Sequence, residues 1–241
     1  MKLTIGYLYP DLLNLYGDCG NIQCLKKRLE WRGMEASIVP LSSESRIDFT
    51  RLDIVMLGGG SDREQELAAR GLRSLRKELG CYLEDNGVLL AICGGYQLLG
   101  DYYKTGRKTI KCLELLHFYT ECGSKRLVQN VVVQSPFFSS PVVGFVNHGG
   151  RTHIGDYTPL GEVLYGFGNT ETSHREGLLY KNTLGTYLHG PLLPKNPEIC
   201  DFLIARALHR KYGKKVCLAP LPDGAEKRAN SYLVKNLVFY P

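Results

Sequence analysis

Residues 88–99 read VLLAICGGYQLL, and the fold turns on how they are parsed. Val88 to Ile92 form an apolar run with the length and composition of a central parallel strand covered on both faces. Cys93 closes the run, Gly94 and Gly95 follow, and Tyr96-Gln97-Leu98-Leu99 begins a helix. Such a strand–turn–helix lifts the side chain at the bend clear of the sheet, and glycines admit a turn that a Cβ would crowd. The free N–H groups at the helix start favour thiolate over thiol. One turn of backbone thus positions, exposes and activates a nucleophile. A lone cysteine at a strand end is more often a small core residue. Here the glycines and a second motif far downstream favour the nucleophile.

Upstream of this stretch the chain alternates. LTIGYL (3–8) reads as a strand, and the polar loop YPDLLNLYGDCGN follows. Asn21 is expected to cap a helix running to about Arg32, with Ile22, Leu25 and Leu29 on its apolar side. EASIV (35–39) and LDIVML (52–57) are two further strands. The second ends in GGGSDRE (58–64), where Ser61 and Glu64 form a capping box that opens a helix to about Asp85. The glycine turn is neither G-x-G-x-x-G nor a Walker A, so it points weakly to nucleotide and better to a backbone N–H aimed at an oxyanion beside Cys93. The β–α–β–α rhythm predicts a doubly wound parallel α/β sheet, with ligands beyond the carboxyl ends of its strands.

After residue 100 the pattern changes. Segments 112–119, 127–134, 142–146 and 162–167 read as short strands of an antiparallel extension, and GFVNHGGRTH (144–153) as a glycine-rich loop. Residues 177–180 and 184–188 form a hairpin whose second arm, LGTYLHG, delivers His189. Asn196, Pro197 and Glu198 open a helix, and another is expected over about 224–237. The organisation is one domain over 1–212 with a tail over 213–241.

Composition narrows the classes. The 241 residues are 44% apolar and 22% charged, ordinary for a globular protein. The net charge of +6 is spread along the chain, with no basic run interleaved with aromatics, so nucleic-acid binding has no support. The N-terminus lacks a signal peptide and no apolar run is long enough for a transmembrane segment. The eight cysteines form no C-x-x-C pair and match no zinc module, which favours reduced thiols in a cytoplasmic protein and no metal site.

Cys93 and His189 close two different strands, and in one sheet those ends become neighbours. A thiolate–imidazolium pair attacks an acyl carbon, after which the imidazole protonates the departing nitrogen. The N–H of Gly94, with that of Gly59 or Gly60, is expected to form the oxyanion hole.

AICGGYQLLG resembles the elbow of class I glutamine amidotransferases, and LGTYLHGP their histidine motif. GFVNHGG resembles the G-[YF]-E-x-H-x-G loop of the cobyric acid synthase-like branch. Within that branch, YPDLLNLYGDCGNI, GGGSDREQ, NHGGRT and GTYLHGPLLPKN together resemble the glutaminase subunits of lipid II isoglutaminyl synthase, over about residues 5 to 210. The resemblance implies a flavodoxin-like fold and hydrolysis of L-glutamine to glutamate and ammonia. It also implies a heterodimer with a Mur-ligase-like synthetase subunit, MurT, which amidates the D-glutamate α-carboxyl of lipid II near the inner face of the membrane. ATP and Mg are then expected on that partner, with no cofactor in this chain.

Carried across, Cys93 is the nucleophile and His189 the general base and acid. Arg126 in SKRLV holds the substrate's α-carboxylate, which suits a guanidinium fork. Gln97, His148 and Gly149 complete the expected substrate contacts, His148 through neighbouring backbone N–H groups rather than its ring. The chain departs from many class I amidotransferases at Pro191, where a glutamate would orient the imidazole. The third acid must come from elsewhere, either from Asp18 in the N-terminal loop or from the partner. Alternative readings are a cobyrinate-type amidotransferase, a cysteine peptidase or chaperone-like hydrolase, and a non-enzymatic binding module on the same fold.

Overall fold

The computed structural model describes residues 1–43, 45–213 and 216–239. The first sheet contains β1 (Lys2–Leu8), β2 (Glu35–Leu41), β3 (Ile54–Leu57), β4 (Val88–Ile92), β11 (Leu178–Tyr180) and β12 (Thr183–Thr186), in the order β11-β12-β4-β3-β1-β2. All its pairings are parallel except β11 with β12. Every residue of β3 and β4 is buried, as their unbroken apolar runs require, whereas edge strand β2 is mostly half-buried. α1 (Cys19–Glu30) packs against α5 (Leu192–Lys195) and α6 (Pro197–Tyr212), and α2 (Asp62–Arg73) against α4 (Gly94–Leu98). The strand order reverses between β1 and β3. The loops leaving their carboxyl ends therefore diverge and open a crevice, the place where such folds bind ligands.

The second sheet is larger than a short extension. It holds β5 (Tyr102–Lys104), β6 (Thr109–Lys111), β7 (Tyr119–Gln134), β8 (Val142–His153), β9 (Gly161–Tyr165) and β10 (Arg175–Glu176). The long antiparallel hairpin β7–β8 dominates it. A shared apolar core runs from Leu3 and Ile5 through Leu57 and Ile92 to Phe118, Val133 and Val146, so the two sheets pack as one body.

Several expected elements are redrawn. GFVNHGGRTH is not a loop but most of β8, because its glycines lie where neighbouring groups approach: a Cβ on Gly150 would sit 2.3 Å from Gln97 Nε2. Residues 112–118 lie between strands, and β7 begins eight residues earlier than expected, at Tyr119. The helix after Ser61 is two helices, α2 and α3 (Arg76–Glu84). They part where Ser74 Oγ donates back to the Gly71 carbonyl at 2.9 Å. Asn21 does not cap α1; it lies buried inside it, and its Oδ1 accepts the Leu193 N–H at 2.8 Å. Asn196 likewise spends its side chain on the backbone of Val143 and Leu192 rather than on α6. β12 stops at Thr186, so His189 lies past the strand end. α7 (Gly224–Val234) gives way to a π turn over Lys235–Phe239.

Candidate active site

β4 delivers Cys93 in a conformation few residues adopt, φ 48° and ψ −104°, and its N–H donates to Thr186 O at 2.8 Å. The two glycines behind it are sterically required. A Cβ on Gly94 would lie 2.2 Å from Gln65 Nε2, and one on Gly95 2.4 Å from the Leu57 carbonyl. That close approach seats α4 on the end of β3, and the elbow bends as the sequence predicts.

His189 enters from the neighbouring strand. Beyond β12 its backbone exchanges hydrogen bonds with Phe145 of β8, donating at 2.8 Å and accepting at 3.3 Å. The imidazole is fully buried, and its Nδ1 lies 3.2 Å from Asp18 Oδ1, also fully buried. Its Nε2 has no hydrogen bond among the described residues, and the Cys93 sulfur acts on it electrostatically. Burial pushes the His189 pKa down, but the Cys93 charge and the Asp18 carboxylate outweigh it and raise the imidazole to about 10. A Cβ on Gly59 would come within 2.9 Å of His189 Cε1, 3.3 Å of Asp18 Oδ2 and 3.3 Å of Cys93 Cβ. Three side chains from distant parts of the chain thus converge on one glycine.

Asp18 is accordingly within reach of the imidazole, at the position left open between this chain and a partner. Pro191 serves differently: it packs on α1, where a Cβ on Gly20 would meet its ring at 2.6 Å. One expectation is corrected. The Gly59 N–H donates to Asp18 Oδ2 at 2.8 Å, so it fixes the carboxylate and is not free for an oxyanion. The N–H groups of Gly60 and Gly94 have no hydrogen-bond partner among the described residues.

Gln97 is also redirected. Its carbonyl accepts from Gln65 Nε2 at 2.8 Å and its amide donates to Tyr187 Oη at 2.9 Å. It braces α4 against α2 and Tyr187 instead of facing a substrate. Tyr187 Oη continues the network to Thr152 Oγ1 at 2.5 Å, and that hydroxyl to Thr120 Oγ1 at 2.8 Å. His148 stacks on Tyr187 with ring centroids 3.6 Å apart. Its Nδ1–H donates to Gly150 O at 2.7 Å, which leaves Nε2 a buried acceptor without a hydrogen-bond partner among the described residues. Burial first, then the nearby charges of Arg151, His189 and Arg126, hold this imidazole neutral with its pKa down at about 3.

Arg126 stands exposed at a register break in β7. Cys122 pairs with Gly150 and Leu127 with His148, so residues 123–126 bulge opposite Gly149 alone. Beneath the bulge lies Arg151, whose guanidinium donates to the carbonyls of Lys125, Gly149 and Gly150 and pairs with Glu171. Arg126 donates through Nε to Asn147 Oδ1 and through Nη2 to the Asn147 carbonyl, both at 2.8 Å. Gly149 lies beside its free edge, a Cβ there falling 3.9 Å from Nη1. Tyr16, Gln65, Asn147, Arg151 and Tyr187 escape the sequence reading. Their roles depend on partners far away in the chain, and no local pattern marks them.

Residues 4–197 match the profile of the CobB/CobQ-like glutamine amidotransferase domain. The chain is 46% identical over 211 residues to "Lipid II isoglutaminyl synthase (glutamine-hydrolyzing) subunit GatD" of Staphylococcus aureus strain N315, covering 87% of this chain and 86% of that one. It is 39% identical over 225 residues to the subunit of the same name from Streptococcus pneumoniae strain R6, covering 92% and 86%. Among solved structures, a glutamine amidotransferase from Thermotoga maritima superposes with a TM-score of 0.57 at 15% identity, over 98% of both chains; that likeness concerns the fold alone.

Proposed function

The chain belongs to the CobB/CobQ-like glutamine amidotransferase family, and from that premise we propose that it is the glutamine-hydrolysing subunit of a lipid II isoglutaminyl synthase. The observation that carries the chemistry is the Asp18–His189 contact beside the Cys93 elbow. The acceptor follows from the names of the two relatives that align over most of the chain.

In this reading the Cys93 thiolate attacks the side-chain amide carbon of L-glutamine. The N–H groups of Gly94 and Gly60 receive the negative charge that builds on the carbonyl oxygen; one such donor is typically worth about 3–4 kcal/mol in the transition state. The His189 imidazolium, held in orientation by Asp18, gives its proton to the departing nitrogen, and ammonia leaves. His189, now neutral, takes a proton from water as that water attacks the thioester, and glutamate is released. Arg126 grips the α-carboxylate through the edge that Asn147 leaves free. The ammonia passes to a Mur-ligase-like partner, MurT, which binds ATP and Mg and activates the D-glutamate α-carboxyl of lipid II at the cytoplasmic face of the membrane. Among the described residues no helix is long and apolar enough to cross a membrane.

Two measurements test this. A glutamine-mimicking chloroketone should label Cys93, and Cys93→Ala should abolish both labelling and glutamate release; labelling at another cysteine with release retained would end the Cys93 assignment. Mixed with the partner, the chain should support glutamine- and ATP-dependent amidation of lipid II. Glutamate release without any lipid II amidation would leave a glutaminase and remove the cell-wall acceptor.

A further inference from the structure

The loop between β1 and α1 crosses the mouth of the site, tied there by three side chains in series. Tyr16 sits in a 3-10 turn at φ 55° and ψ 26°, a left-handed conformation that side chains other than glycine, asparagine and aspartate seldom adopt. Its ring stands edge-on to the His189 imidazole at 5.1 Å between centroids, and to Phe145 at 6.5 Å. Its hydroxyl accepts from Asn147 Nδ2 at 2.5 Å, while Asn147 Oδ1 accepts from Arg126 Nε at 2.8 Å. Both polar ends of the asparagine are therefore committed, one to the ring over the imidazole and one to the arginine. Arg126 has no other hydrogen-bond partner among the described residues. An exposed arginine on a bulge has much rotamer freedom to lose. The two bonds to Asn147 remove it and leave Nη1 and one Nη2 hydrogen without a hydrogen-bond partner among the described residues.

We propose that Asn147 is a positioning residue for substrate recognition: it presents the Arg126 guanidinium in the orientation that receives the α-carboxylate of an amino-acid amide, and couples that arginine to the Tyr16 ring covering His189. The proposal rests on the glutamine-hydrolysing reading above. The chemistry of the residue fits the task. A neutral amide accepts from the guanidinium without neutralising it, whereas an aspartate would pair with the arginine and compete with the incoming carboxylate. Pre-orienting the fork before substrate arrives lowers the ordering penalty of binding, so the contribution belongs in KM more than in kcat.

The test is steady-state glutamate release by the full chain in complex with its synthetase partner, for Asn147→Ala, Arg126→Ala and the double variant. Losing one charge-assisted hydrogen bond corresponds to roughly a tenfold change or more. Asn147→Ala should therefore raise KM for glutamine about tenfold, with a much smaller fall in kcat. In the Arg126→Ala background the same change should add almost nothing. Tyr16→Phe keeps the ring and removes the hydroxyl, so it should raise KM by a few fold; it carries the comparison if Asn147→Ala fails to fold. Asn147→Asp should raise KM as well, less so at high salt. An unchanged KM in Asn147→Ala, a loss confined to kcat, or full additivity with Arg126→Ala would overturn the proposal and leave the glutaminase reading standing. No glutamate release by the unsubstituted complex would remove both.

Discussion

Position 59 shows how little freedom single residues have here. Gly59 faces the histidine, the aspartate and the cysteine at once, and its N–H is what holds Asp18 in place. Gly59→Ala should lower kcat by about 100-fold or more and lower the melting temperature as well, because its Cβ must displace the buried imidazole it meets at 2.9 Å. Asp18→Asn tests the electrostatics. Cys93 and Asp18 hold the His189 pKa at about 10, so removing one anion must lower it. The imidazolium, present at pH values below its pKa and lost above it, should then disappear at lower pH. The alkaline limb of the kcat/KM profile, and the pH titration of the His189 ring nitrogens by NMR, should both move down. Activity at neutral pH should fall by about two orders of magnitude; an unmoved titration would exclude Asp18 as the orienting acid. Cys93 and His189 were readable in the chain because each ends a short local pattern. Asp18 was readable only as a candidate, since its significance lies in a contact with a residue far down the chain. Of Gly59 and Gly60, the two alternatives for the second oxyanion donor, Gly59 spends its N–H on Asp18; sequence reveals that a backbone N–H exists and not where it points.

Elements were most legible where one period governs a whole segment. β3, β4 and the capping box of α2 follow from apolar runs and local hydrogen bonding. The start of β8 is legible as a strand over 142–146, but GFVNHGGRTH mimics a loop because its glycines resemble turn signals; in the fold Gly144 and Gly150 lie where Leu188 and Gln97 approach the strand closely. β10 illustrates a different hidden function. Its Glu176 is fully buried and accepts from the Tyr187 N–H at 2.8 Å and from Thr186 Oγ1 at 3.0 Å, on the segment leading to His189. Burial pushes this carboxyl up to about 7, against the pull of those hydrogen bonds. A carboxyl with a raised folded-state pKa stabilises the fold below its unfolded value of 4.5, and the contribution is lost as pH rises through about 7. Denaturant midpoints should therefore decline across that interval, on the order of 3 kcal/mol in total from this group. Glu176→Gln should flatten the decline; an identical pH profile in the variant would show that the burden lies on another group.

At the scale of the whole molecule, the helices beside the first sheet and the C-terminal segment are joined by largely buried polar contacts that composition does not reveal. Arg28 of α1 donates to Asp201 of α6 and to Asp223 just before α7, and Arg32 also reaches Asp201. Asn230 of α7 donates to the carbonyls of Pro141 and Lys195. Removing Arg28 takes the counter-charge from Asp223 and leaves Asp201 with Arg32 alone. Arg28→Ala should destabilise the fold by about 2–3 kcal/mol in urea unfolding, discounted because both aspartates keep some contact with water. A smaller effect is expected for Asp223→Asn, which removes only one of the two carboxylates paired with Arg28; equal losses from both would place the stabilisation in the Arg28–Asp223 pair, and no loss from Asp223→Asn would place it in the arginine's packing. The doubly wound order was legible from the β–α alternation, but the size of the second sheet was not, because its strands are joined by turns whose pairing partners sequence does not identify. That insertion sets a chronology for the growing polypeptide. The thiol, its glycines and the acid belong to the first hundred residues, whereas the imidazole is on β12's far side and follows the entire second sheet. A ribosome must therefore finish the hairpin before the proposed chemistry can begin, and truncated products of synthesis carry the cysteine without the imidazole proposed to arm it.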